Sequence, residues 1–214
     1  MADNLLRTPG SGETVRAVDR GSAKRQVVEL DVGGDSSGSE ILVTGRTVST
    51  GVGAMNVDSR VLSVRVTATP TVSTSPAYSA NDQVGGIMTF SGCARANGLS
   101  GVIVGGALID KGKQSADLDL WLFRESPTLA GSDNAAFDLT DANLVTAEPV
   151  GYLRFATYKT TSSNGIARCD VGDLPLGFVC ASDDTALYGV FVTRGTPTYA
   201  STSDLVLSLF IIHD

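Results

Sequence analysis

The chain has 214 residues, a net charge of −7, and 42% apolar against 18% charged residues. That is room for one domain of ordinary size plus an extra segment, and too little for two large ones. The sparse charge, the 24 glycines and the abundance of Ser and Thr exclude a coiled coil, a collagen-like repeat and a wholly disordered chain, and they favour short strands joined by turns. The acidic balance repels phosphate backbones, which argues against general nucleic-acid binding. No run approaches the ~18 apolar residues of a membrane span, and the opening residues carry no signal-peptide core, so no membrane partner is expected.

Residues 1–60 differ from the rest. They hold nine of the glycines and no aromatic residue, and their large apolar residues come in short strips, Val27, Val28 and Leu30, then Ile41, Leu42 and Val43. Without aromatics this segment cannot build a core of its own, but it can add strands to something larger. Thr8 to Gly12 and Gly33 to Gly38 read as turns or flexible leads. Residues 1–60 carry seven basic and eight acidic groups, a net of −1. The remaining nine and fifteen leave residues 61–214 at −6. The division predicted is an extended N-terminal arm over 1–58 that docks on a partner, and a folded body over 59–214.

The body reads as strands. Leu62, Val64, Val66 and Ala68 alternate with Ser63, Arg65 and Thr67, giving one apolar and one polar face. Strands follow at Val84–Phe90 and Gly101–Asp110. In the stretch from Asp117 to Phe123, Leu118, Leu120 and Leu122 share one face. The other face, Asp117, Asp119, Trp121 and Phe123, changes from wet to dry along its length. The run Ser132 to Asn134 could cap a short helix or a wide loop over Ala135–Leu144. Val150–Ala156 and Ile166–Asp170 are short strands. Thr185–Thr193 is a strong strand, with Leu187 and Phe191 opposite Tyr188, Val190 and Val192. Asp204–Ile212 is apolar on both faces and is therefore expected to be central or at an interface. About eight strands divided by Gly, Pro, Asn and Ser clusters predict an all-β fold, an antiparallel β-sandwich with jelly-roll-like order.

The chemistry on offer is thin. Cys93, Cys169 and Cys180 are an odd number without close spacing, as suits buried thiols in a reducing cytoplasm. The only histidine, His213, is next to last and reads as a solvated residue rather than a base. No Cys or His pair has zinc spacing. Asp117 with Asp119, and Asp183 with Asp184, could bind calcium or cleave a glycoside, but they read more simply as charges that keep strand edges soluble. Gly51–Gly53 and Gly101–Gly106 lack the lysine and helix of a phosphate loop, and the second suggests a strand in close contact with another backbone. Trp121 and the tyrosines read as core, with a sugar platform or a subunit interface as the other options. No catalytic, cofactor or metal residue is assigned.

Several stretches resemble small virion proteins of tailed bacteriophages. At the N-terminus these are Met1-Ala-Asp-Asn4, Thr8-Pro-Gly-Ser-Gly-Glu-Thr14 and Val27-Val-Glu-Leu30. In the body they are Gly85-Gly-Ile-Met-Thr-Phe90, Gly98-Leu-Ser-Gly101, Lys113-Gln-Ser-Ala-Asp-Leu-Asp-Leu120, Ser132-Asp-Asn-Ala-Ala136, Arg194-Gly-Thr-Pro-Thr-Tyr199 and Ser203-Asp-Leu-Val206. Val18-Asp-Arg-Gly21 and Ser22-Ala-Lys-Arg25 depart from the acidic pair and glycine pair usual in such arms. The resemblance implies a structural protein of the virion, not an enzyme and without cofactor. It implies a capsid decoration or cement protein, assembled in the host cytoplasm and placed on the capsid exterior. Such a protein would form a homotrimer and bind the major capsid protein through its arm, which could reach ~200 Å at full stretch. The alternative is a tail or baseplate appendage, a receptor-binding module that recognises a host-surface glycan with Trp121 or Tyr199 on an exposed tip. A third option is a polysaccharide hydrolase using Asp117 or Asp119.

Overall fold

The computed structural model describes residues 63–213 in full and, ahead of them, the backbone of four short strands. The chain divides between Arg60 and Val61 into two units. In the first, β1 (Val15–Arg20) pairs antiparallel with β2 (Ala23–Val28), and β3 (Leu42–Thr44) with β4 (Thr47–Ser49). Backbone folded back on itself in this way spans less than the full stretch of its residues. Leu30, Ile41, the turns at 8–12 and 33–38, the Gly51–Gly53 motif and Leu62 lie outside the described residues.

The second unit is all-β. Its strands are β5 (Ser63–Ala68), β6 (Gln83–Phe90), β7 (Ser100–Asp110), β8 (Leu118–Phe123), β9 (Pro149–Phe155), β10 (Tyr158–Thr160), β11 (Gly165–Arg168), β12 (Leu176–Val179), β13 (Leu187–Thr193) and β14 (Leu205–His213). They form two antiparallel sheets. The first runs β10-β11-β7-β14-β5, with β12 also on β7, and the second runs β6-β13-β8-β9. The eleven-residue β7 is long enough for two partners on one edge, β11 along Ala107–Asp110 and β12 along Ser100–Ile103. Late strands sit between early ones, β14 between β5 and β7 and β13 between β6 and β8, because the chain changes sheet at most connections.

One apolar core joins the inner faces of both sheets. Leu118, Leu120 and Leu122 of β8 are fully buried together with Leu205, Leu207, Leu209 and Ile211 of β14. The alternation of β8 and the central place of β14 are as the pattern of apolar residues predicts. Between the sheets, Phe155 of β9 lies edge-on to Phe191 at 6.0 Å and reaches Gly106 of β7, where an added Cβ would sit 3.0 Å from the ring. Similarly, Phe178 lies against Gly101, and Phe210 covers Gly105 on the outer face. The glycines of β7 thus chiefly make room for aromatic rings, rather than for a second backbone as expected.

Two short strands, β10 and β12, are additional to the eight expected. The helix is displaced from its expected place. It is α1 (Asp141–Ala147), capped by Thr140, whose Oγ1 accepts from Asn143 N at 3.2 Å. The expected cap residue Asp133 does other work: its carboxylate accepts from Tyr78 OH (2.8 Å) and Gly85 N (2.7 Å). A side-chain acceptor followed by helix-forming residues fits both positions, and tertiary hydrogen bonds claim the first.

Candidate functional site

The two sheets turn different outer faces to solvent. On the second sheet, the connection from Arg124 to Glu148 leaves β8 and returns beside its start, closed by Arg124 N to Glu148 O and Glu125 N to Ala147 O (both 3.0 Å). Its Leu129, Phe137, Leu139 and Leu144 pack on Phe123 and Val190. Phe123 is therefore buried, Trp121 and Asp119 half-buried and the Asp117 side chain 37% exposed, which accounts for the wet-to-dry gradient along this face.

Beyond the cover of this connection lies a groove of about 520 Å³, lined by Asp119, Trp121, Tyr152, Arg154, Asp170, Asp173 and Arg194. Strand register builds its floor. Trp121 stands directly across from Tyr152, and Asp119 from Arg154, on β8 and β9. Leu153 and Phe155 point inward, so Tyr152 and Arg154 point out, and Tyr152 is 54% exposed. The Trp121 ring is 6.3 Å from Tyr152 and 5.5 Å from Phe137 of the covering connection.

Ion pairs fix the polar rim. Asp117 Oδ2 is 2.9 Å from Arg154 Nη2, and Asp119 Oδ2 is 2.7 Å from Arg194 Nε. Arg194 Nη1 also donates to Asn81 Oδ1. Asp173 Oδ2 accepts from the backbone N–H of Arg154 at 2.7 Å. The hydrogen bond that Arg154 donates to Asp117 and the Asp117 charge, with the charges of Asp119 and Asp170, push the Arg154 guanidinium further up from its already high value.

The residues singled out in the sequence fall as follows. Asp117 and Asp119 share one face of β8 as expected, but each is held by its own arginine, the geometry of pinned ion pairs. Asp184 closes a turn: its carboxylate accepts from Tyr188 OH, Thr185 N and Ala186 N, and the Tyr188 hydroxyl foremost holds it below the ordinary carboxylate range. Tyr199 is not at an exposed tip. It is 2% exposed and edge-on to Tyr78 at 5.8 Å, because the segment from Val72 to Asn81 crosses over it through Tyr78 N to Pro197 O (3.0 Å). His213 is half-buried, and its Nε2–H donates to Gly92 O at 3.2 Å. All three cysteines are buried free thiols, and burial pushes Cys93 up to about 12 and Cys180 up to about 11. Tyr152 was weighed only with the other tyrosines, and Arg154, Asp170, Asp173 and Arg194 were not singled out from sequence. Only the alternation of Tyr152 and Arg154 with Leu153 and Phe155 hints at two of them.

The outer face of the first sheet is of another kind. Val206 of β14, Ile109 of β7 and Ile166 of β11 lie side by side, and Phe210, Val104 and Val179 continue the patch; all but Val206 are exposed. No outward residue of these strands is acidic, while Arg65, Lys159 and Arg168 stand at the margins.

Among the described residues no helix is long and apolar enough to cross a membrane, and no trio of His, Cys, Asp or Glu side chains converges to hold a metal ion. No protein-family model, curated protein sequence or solved structure matches the chain.

Proposed function

We propose that the chain is a structural virion protein without enzymatic activity. In this reading it is a capsid decoration or cement protein that trimerises on the exterior of a tailed-phage head and stabilises the shell by docking residues 1–58 on the major capsid protein. The observation that carries the reading is the outer face of the first sheet. Water-facing apolar patches of this kind mark association sites. Here the patch is rimmed by Arg65, Lys159 and Arg168 on a body that carries a net −6 over residues 61–214. Two such faces pressed together would oppose like charges. One face set against acidic residues elsewhere on a second copy pairs opposite charges, and such head-to-tail contacts close into a ring where the rotation between copies allows it. A three-fold ring suits the three-fold points of a capsid lattice. The interleaved strand order, with β14 between β5 and β7 and β13 between β6 and β8, supports the jelly-roll reading of the body.

Two measurements test this. Light scattering on the purified protein should give a trimer that Phe210→Asp converts to a monomer; a wild-type monomer overturns the oligomer. Deleting residues 1–58 should abolish binding to shells while the trimer survives, and shell occupancy by the truncated protein would refute the docking role.

A second reading, a tail or baseplate appendage that recognises a host-surface glycan, is favoured by one observation, the exposed Tyr152 ring beside Trp121 in the groove on β8 and β9. Copy number separates the two: hundreds per particle for decoration, few for an appendage, read by densitometry of purified particles.

A further inference from the structure

The geometry points to the groove on β8 and β9 as a binding site for an uncharged saccharide; the inference rests on the second reading above for its ligand class, but not for the protein's place on a particle. Three features of the groove converge. The first is an aromatic surface already in place. Tyr152 is more than half exposed, and the neighbouring Trp121 is held between it and Phe137. A sugar ring presents an apolar face of C–H groups that packs on such a surface, and rings on rigid strands lose little freedom when they are covered.

The second is the mixture of donors and acceptors around that surface. Sugar hydroxyls donate and accept at once, so they need both kinds of partner. A guanidinium has five N–H groups. Arg154 spends one on Asp117, and Arg194 spends two on Asp119 and Asn81, which leaves donors on both. Asp170, whose backbone N–H donates to Arg154 O, adds a carboxylate to the lining. The ion pairs hold these groups in position before any ligand arrives.

The third is charge. The groove is lined by the carboxylates of Asp119, Asp170 and Asp173 and the guanidiniums of Arg154 and Arg194. An anionic ligand meets three like charges and a cationic one meets two, whereas a neutral polyol meets neither penalty. The volume, about 520 Å³, lies within the ~300–1,000 Å³ of small-molecule sites.

Trp121 is the only tryptophan in the chain, so tryptophan emission reports on this groove alone. The full chain is titrated with maltotetraose, cellotetraose and tetra-N-acetylchitotetraose as neutral probes, with tetragalacturonate as the anionic and glucosamine tetramer as the cationic control. At least one neutral probe should shift Trp121 emission saturably and more tightly than either control. Tyr152→Ala should raise the half-saturating concentration at least about tenfold, as loss of a central aromatic contact does, while Tyr152→Phe stays within about twofold. No response to any neutral probe, tighter binding of a charged tetramer, or unchanged binding by Tyr152→Ala overturns the inference. Adsorption to host cells by particles carrying Tyr152→Ala reads the appendage role separately. Normal adsorption with a saturable titration leaves the site standing and removes the appendage.

Discussion

The outer faces of the two sheets back onto one core and yet share little else. On the first sheet, β14 and β7 put Val206, Ile109 and Phe210 outward beside Ile166, with basic residues only at the margins. On the second, the outward residues of β8 and β9 divide into a part covered by the Arg124–Glu148 connection and an uncovered part of aromatic rings and ion pairs. The difference teaches how a sandwich serves two purposes. The inner faces must be apolar on both sheets for the fold to exist. The outer faces are free, so an apolar one left uncovered and a polar one held by ion pairs carry information that folding did not demand.

Changes that strike the shared core should have the largest effect and should not distinguish the faces. Phe155→Ala removes the ring that meets both Gly106 across the sandwich and Phe191 beside it, and should cost about 3–5 kcal/mol in urea unfolding. A loss under about 1 kcal/mol would mean that the two sheets are less tightly joined than the packing indicates. Next comes Gly106→Ala, whose methyl would sit 3.0 Å from Phe155 Cζ and 3.3 Å from Cys169 Sγ. Overpacking of this kind should cost about 1–3 kcal/mol. The loss should shrink when Phe155→Leu is present, a coupling that a double-mutant cycle measures.

Thr140→Ala sharpens the contrast on the second sheet alone. It deletes the cap of α1 and should cost about 1 kcal/mol by thermal melting, leaving the proposed trimer intact. Phe210→Asp does the reverse, changing association far more than chain stability.

The smallest expected effect is one of pH. Asp110 at the end of β7 is buried beside Asp204, and burial foremost holds its carboxyl above the ordinary Asp range, although its Oδ2 accepts from Ser115 N at 2.6 Å. A carboxyl whose folded value is raised favours the native state while protonated. Its contribution is complete below the ordinary Asp value of ~3.9 and is lost as pH rises through the raised folded value. Asp110→Asn keeps an oxygen for Ser115 and cannot ionise. It should therefore be more stable than wild type at neutral pH and lose that advantage in acid, as urea midpoints across pH would record. An advantage independent of pH would contradict the burial origin of the effect.

Much of the sandwich was legible in the sequence because a half-buried strand repeats every two residues. Leu118, Leu120 and Leu122 against Asp117, Asp119 and Trp121 place β8 on their own, and the two-sided apolar run from Leu205 places β14 in the middle of a sheet. The groove was only half legible. Trp121 and Asp119 follow from β8, but Tyr152 and Arg154 reach them through a strand register that no local pattern encodes, and Asp170, Asp173 and Arg194 arrive from other segments. Tyr199 misleads for the same reason. Only the crossing of the segment that carries Tyr78 turns it from a candidate tip into core. The helix was misplaced because Asp133 satisfies Tyr78 and Gly85, partners distant in sequence.

The buried thiols have a practical corollary. Only thiolates react with maleimides and iodoacetamides, and Cys93, Cys169 and Cys180 are all covered and held protonated by burial. A cysteine introduced by Val145→Cys, at a position 75% exposed on α1, would then be the one fast-reacting sulfur in the folded chain. It would accept a single fluorophore or spin label on the connection that covers β8 without first stripping the native cysteines from the protein.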